Sequence, residues 1–109
     1  MAYDQNLADR VLERLLSQPG LEEKAMFGGV SFMVQGNFAC GVVKDDLCVR
    51  VGKDAYDDAL ASPDARPMDF TGKPMTGWVF VSPSGIADDE TLHTWVDRGL
   101  SYALSLPPK

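Results

Sequence analysis

Two cysteines, Cys40 and Cys48, and a single histidine, His93, are the residues best suited to covalent or metal chemistry in this sequence. A nucleophilic cysteine works as its thiolate and needs a base oriented toward it. His93 is the only imidazole, and it falls in a segment whose apolar stripe is formed by other residues. Cys40 lies between Ala39 and Gly41 in an apolar run, where a small buried hydrophobe is the simpler reading. Two cysteines and one histidine also fall short of a zinc-ligand set. No paired-carboxylate, triad or metal motif is present, so the residues imply no catalytic group, no metal and no cofactor.

Binding chemistry has more to work with. Met26-Phe27-Gly28-Gly29 places two glycines behind a Met-Phe pair. A phosphate-cradling loop sets its glycines after a strand and before a helix, usually with Lys and Ser or Thr following. Here a strand-like run, Val30 to Val34, comes next, which favours a bend or bulge over a cradle. Arg50 interrupts an apolar run and faces away from Leu47, Val49 and Val51. If covered, it needs a carboxylate, and Asp69 in "RPMDFTGKPM" is the natural partner. Phe27, Gly28, Gly29, Arg50, Asp69 and Lys73 are therefore the candidate binding or interface residues.

These residues must be held by one small domain. A chain of 109 residues fits one compact unit, residues 1–109. A 45% hydrophobic and 24% charged composition is that of an ordinary globular protein. No apolar run approaches the ~20 residues that span a bilayer, and the opening "MAYDQNLADR" has acid where a signal peptide carries base. Cytoplasmic residence and no membrane partner are expected. A net charge of −6 with scattered basic residues argues against direct DNA binding by this domain alone.

Asp4 is placed to cap a first helix carrying Leu7, Val11, Leu12 and Leu15 on one stripe. Ser17-Gln18-Pro19-Gly20 stops it. A short edge strand over Leu21 to Met26 is followed by strands over Val30 to Val34, Phe38 to Val43 and Leu47 to Val51. A three-residue turn at Gln35-Gly36-Asn37 and a turn at Asp45-Asp46 put Val30, Phe32, Val34, Phe38, Cys40, Val42, Leu47, Val49 and Val51 on one face. Cys40 is then buried under the helices and Cys48 points to the opposite face beside Met33 and Val43, so no disulfide joins the two cysteines. Lys53 to Ala61 reads as a second helix. The stretch from Arg66 to Gly77 reads as a stiff connector with a short strand at Met68 to Phe70. Trp78 to Ser82 is a strand. Asp88-Asp89-Glu90 opens a last helix with Leu92, Trp95, Val96, Gly99, Leu100, Ala103 and Leu104 on its stripe. Helix, strands, helix, strands, helix without regular alternation is an α+β, two-layer pattern: an antiparallel sheet with helices mainly on one face.

"KAMFGGVSFMVQGNFACGVV", "LCVRVG", "RPMDFTGKPMTGWVFV" and "WVDRGLSYALSLPPK", in that order, resemble the N-terminal domain of the TfoX/Sxy proteins over nearly the whole chain. The resemblance implies a fold similar to type III secretion chaperones and a dimer. It also implies a relation to bacterial regulators that help the cyclic-AMP receptor protein activate competence genes. Those regulators carry a C-terminal helical domain, and this chain, ending at Lys109, reads as a stand-alone short form. The leading expectation is a non-enzymatic interaction domain, accessory to transcription regulation, whose partner is another protein or itself as a homodimer. The alternative is a small-molecule or nucleotide binder, or a cryptic enzyme, using the "MFGG" bend with Arg50, Asp69 and Lys73.

Overall fold

The computed structural model describes residues 3–26, 28–68 and 75–108. Along the chain run α1 (Gln5–Leu15), β1 (Leu21–Met26), β2 (Gly29–Val34), β3 (Asn37–Val43), β4 (Asp46–Arg50), α2 (Tyr56–Leu60), β5 (Ala65–Pro67), β6 (Trp78–Val81) and α3 (Asp89–Ser105). A 3-10 turn, Pro83–Gly85, links β6 to α3. The six strands form one sheet in the order β1-β2-β3-β4-β6-β5, antiparallel throughout. This is the α+β architecture expected from the element order.

Both long helices begin with an aspartate cap. The Asp4 carboxylate accepts from the Leu7 N–H at 3.2 Å, and Asp88 accepts from the N–H and hydroxyl of Thr91. Each satisfies a backbone donor that the first helical turn leaves open. The apolar stripe of α1 (Leu7, Ala8, Val11, Leu15) and that of α3 (Leu92, Trp95, Val96) bury against Phe32, Cys40, Val42, Leu47, Val49, Val79 and Val81. α3 comes closest at Gly99, where a side chain would strike the Ala39 carbonyl oxygen. Outside this core, Arg10 pairs with Asp89 at 3.0 Å and Arg14 grips Asp97 with two bonds of 3.0 and 2.7 Å. These exposed pairs tie α1 to α3 and, screened by solvent, add little to stability.

The strand registers correct the sequence reading at particular points. The β2–β3 connection is a two-residue turn, Gln35-Gly36, with φ of 53° and 83°, and Asn37 already belongs to β3. Val34 thus pairs with Asn37 and Met33 with Phe38, one residue out of the expected register. A bulge at Ala39 takes up the difference, and from Phe32↔Cys40 onward the pairing is the expected one. Phe38, sitting between turn and bulge, is therefore flipped to the second face of the sheet. Lys44-Asp45, not Asp45-Asp46, forms the next turn, which leaves the facing of Leu47, Val49 and Val51 unchanged. The helix near Lys53 shrinks to Tyr56–Leu60. β5 falls at Ala65–Pro67; of the short strand expected at Met68 to Phe70, Asp69 and Phe70 lie outside the described residues and Met68 follows the end of β5. Leu104 stands 44% exposed instead of completing the α3 stripe.

The second face carries its own apolar cluster: Phe38, Val43, Cys48, Met68 and Phe80, with Met33, Met75 and Trp78 partly buried against it. It is far more apolar than Met33 and Val43 alone foretold. Its central residues are already buried within the chain.

Candidate functional site

The "MFGG" segment is the β1–β2 hairpin, and its glycines answer to two different constraints. Gly28 has φ +77° with open space where a side chain would go, so its demand is conformational. Gly29 opens β2, and there a side chain would collide with the Val42 carbonyl of β3. The pair is a bend against a neighbouring strand. Phe27 lies outside the described residues.

Arg50 is elsewhere. Val30, Val42, Leu47 and Val81 form one row across the sheet. Gly29 lies one residue to one side of that row and Arg50 three residues to the other. Four residues of strand are about 13 Å, with β3 lying between them as well. The hairpin and Arg50 do not make one site, so a site joining them, as the sequence reading drew it, has to be divided. Asp69 and Lys73, the other members of that set, lie outside the described residues.

What gathers around Arg50 is aromatic. Its guanidinium carbon lies 5.2 Å from the ring centre of Trp78, its cross-strand neighbour, and 5.2 Å from that of Tyr102 on α3. A cation over two ring faces is held electrostatically at about 0.5–1 kcal/mol per exposed contact. Among the described residues it has no carboxylate partner. Beside it the chain turns at Gly52. The Val51 and Gly52 N–H groups both donate to the Gly77 carbonyl, at 2.8 and 3.1 Å, and the Tyr102 ring occupies the space of a Gly52 side chain. "RVG", "TGW" and the end of α3 thus converge at one corner of the sheet. Tyr102 escaped the sequence reading, although it stands seven residues after Trp95 and so repeats its helical direction.

Beyond Tyr102 opens a groove of about 540 Å³ between α3 and the segment entering α2, lined by Val51, Ala55, Arg98, Ser101, Tyr102 and Ser105 among others. Arg98 bridges its walls, bonding Asp58 at 3.2 Å while lying over the Trp95 ring at 4.8 Å. A second cleft, about 290 Å³, holds His93 with Arg10, Glu13, Arg14 and Asp89.

The thiols are sealed on opposite faces. Cys40 belongs to the helix-side core, and burial pushes its thiol up to about 12. Cys48, in the second cluster, donates to the Met68 sulfur at 3.2 Å, and burial, then the neighbouring Cys40, drives its pKa upward as well. Both are free cysteines, as the alternation of the strands requires. Neither is a ready thiolate at neutral pH. Among the described residues no group of three His, Cys, Asp or Glu is placed to hold a metal ion, and no helix is long and apolar enough to cross a membrane.

The chain matches no curated protein sequence. The family model of the TfoX N-terminal domain matches residues 13–103, from the last turn of α1 through all six strands to near the end of α3. That span holds the hairpin glycines, the Arg50 corner and every named wall residue of the groove but Ser105, and the chain belongs to the TfoX N-terminal domain family.

Proposed function

We propose that this chain is a non-enzymatic interaction domain, an accessory to transcription regulation related to the competence regulators, acting in the cytoplasm by contact with protein, beginning with a second copy of itself. The observation that carries this reading is the outer edge of β1. Six residues long, it ends the sheet with Glu22, Glu23, Lys24 and Ala25 exposed, and among the described residues nothing pairs with it. An open edge of that length presents a row of unpaired backbone donors and acceptors, the usual template for adding a strand. At the other end of the sheet, β5 is three residues long and finishes in Pro67, which has no N–H to give. Family membership supports the link to regulation, and the net charge of −6 supports protein over DNA as partner.

Light scattering of the chain at tens of micromolar, with a duplex-DNA mobility shift over a salt series, tests the reading. The expected result is a mass about twice 11.9 kDa and no shift. A monomer, or DNA binding that weakens steeply with salt, overturns it. A small-molecule reading has one observation in its favour, the groove of about 540 Å³ with its mixed apolar and polar walls. Chemical-shift changes at Tyr102 and Ser101 on titration with a nucleotide would move the account toward it.

A further inference from the structure

This inference rests on the reading of the chain as self-associating, and it names the surface and the register. We infer that two copies join β1 to β1 across a two-fold axis at Glu23, continuing the sheet from one protomer into the next.

Strand alternation selects the backbone groups available. The Gln35 N–H donates to the Gly20 carbonyl, in register with Leu21↔Val34, so the even-numbered residues of β1 turn their backbone groups toward β2. Leu21, Glu23 and Ala25 turn theirs outward. A two-fold axis perpendicular to a continuous sheet pairs residues whose numbers sum to an even total, because facing side chains must share a face. Centring the axis on Glu23 pairs Glu23 with itself and Leu21 with Ala25 through the outward backbone groups. Glu22 then faces Lys24 of the other copy, twice, in the closer-spaced pairs without backbone bonds between them. Centring on Lys24 instead opposes two lysines and leaves both Glu22 side chains without a cation. The charge order Glu-Glu-Lys therefore selects the first register, at the cost of one Glu23–Glu23 opposition. On the four inner strands the pattern does not recur.

The test is a charge-swap cycle read by sedimentation equilibrium on the full chain. All three side chains are exposed, so the variants are expected to melt like the parent. Glu22→Lys and Lys24→Glu should each weaken the dimer roughly tenfold or more, since each turns two attractive pairs repulsive. The double variant E22K/K24E, whose net charge equals the parent's, should regain parental affinity, and a mixture of the two single variants should form the heterodimer. Glu23→Gln should tighten association severalfold. A dimer indifferent to the single reversals overturns this interface and leaves self-association standing. Reversals that weaken without rescue by the double variant or the mixture overturn the register. A chain that stays monomeric at tens of micromolar overturns both this inference and the reading beneath it.

Discussion

Alanine at Gly28 and at Gly29 should separate two kinds of glycine that lie side by side. At Gly28 an added side chain meets nothing within 4 Å, and the φ of +77° is the only objection. Left-handed backbone costs an L-residue about 1–2 kcal/mol, so Gly28→Ala is expected near 1 kcal/mol and Gly28→Asn below it. At Gly29 the new Cβ falls on the Val42 carbonyl oxygen, with the carbonyl carbon at 2.9 Å and Val43 Cα at 3.2 Å. All three are backbone atoms of an interior strand, so the clash can be relieved only by parting β2 from β3. Overpacking costs about 1–3 kcal/mol and a disturbed ladder hydrogen bond about 1 more, giving about 3 kcal/mol. With a urea m-value of about 2 kcal/mol/M, the Gly29→Ala midpoint should fall about 1 M below that of Gly28→Ala in equilibrium unfolding. Equal midpoints, or the reverse order, would refute the assignment of close approach to Gly29. If both variants unfold like the parent yet lose a bound metabolite, the hairpin is a ligand site instead.

Arg50→Ala should destabilise by about 1–2 kcal/mol through loss of both ring contacts, with Arg50→Lys in between, as read from urea midpoints. Asp4→Ala and Asp88→Ala should each cost about 1 kcal/mol by removing a helix cap, seen as a few degrees in thermal unfolding. Thiol titration of the native chain should count no reactive cysteine at neutral pH, and two in denaturant without reductant. Alkaline stability follows with a definite sign. The unfolded Cys40 thiol has its ordinary value of 9.0 and burial pushes the folded one up to about 12, so the unfolded state binds fewer protons in that window. Stability contributed by the buried thiol is complete below pH 9 and is lost as pH rises through the folded value, at up to ~1.4 kcal/mol per pH unit. A Cys40→Ala variant should show a shallower fall.

Much of the fold was legible because local signals and burial agree. The caps Asp4 and Asp88, the breaker at Pro19-Gly20 and the alternation through Leu47 to Val51 each have a physical cause acting within a few residues. Phe38 shows where that legibility stops. A two-residue turn and a bulge at Ala39 together give nearly the same pairing as one longer turn, and differ only in where Phe38 points. Nothing in "QGNFAC" separates the two. The choice is tertiary, made by α3 seating Gly99 on the Ala39 carbonyl and by the second-face cluster receiving Phe38.

The candidate site was less legible. The sequence reading joined Gly28-Gly29 to Arg50, whereas strand register puts them at opposite ends of their strands, with β3 between. Arg50, if covered, was expected to need a carboxylate, with Asp69, which lies outside the described residues, as the partner; among the described residues the structure sets two rings beside it, one from α3 more than fifty residues later. The open edge of β1 was visible only as a short edge strand. Its significance depends on the sheet order, which leaves β1 outermost and regular while β5 is blunted by Pro67.

Amide hydrogen exchange across β1, followed from low micromolar to near-millimolar concentration, tests the central claim most directly. Edge-to-edge association predicts that the outward N–H groups of Leu21, Glu23 and Ala25 gain protection as concentration rises. Those of Glu22 and Lys24, already turned toward β2, should change little. Exchange at Glu23 that stays independent of concentration while the mass doubles would contradict the account.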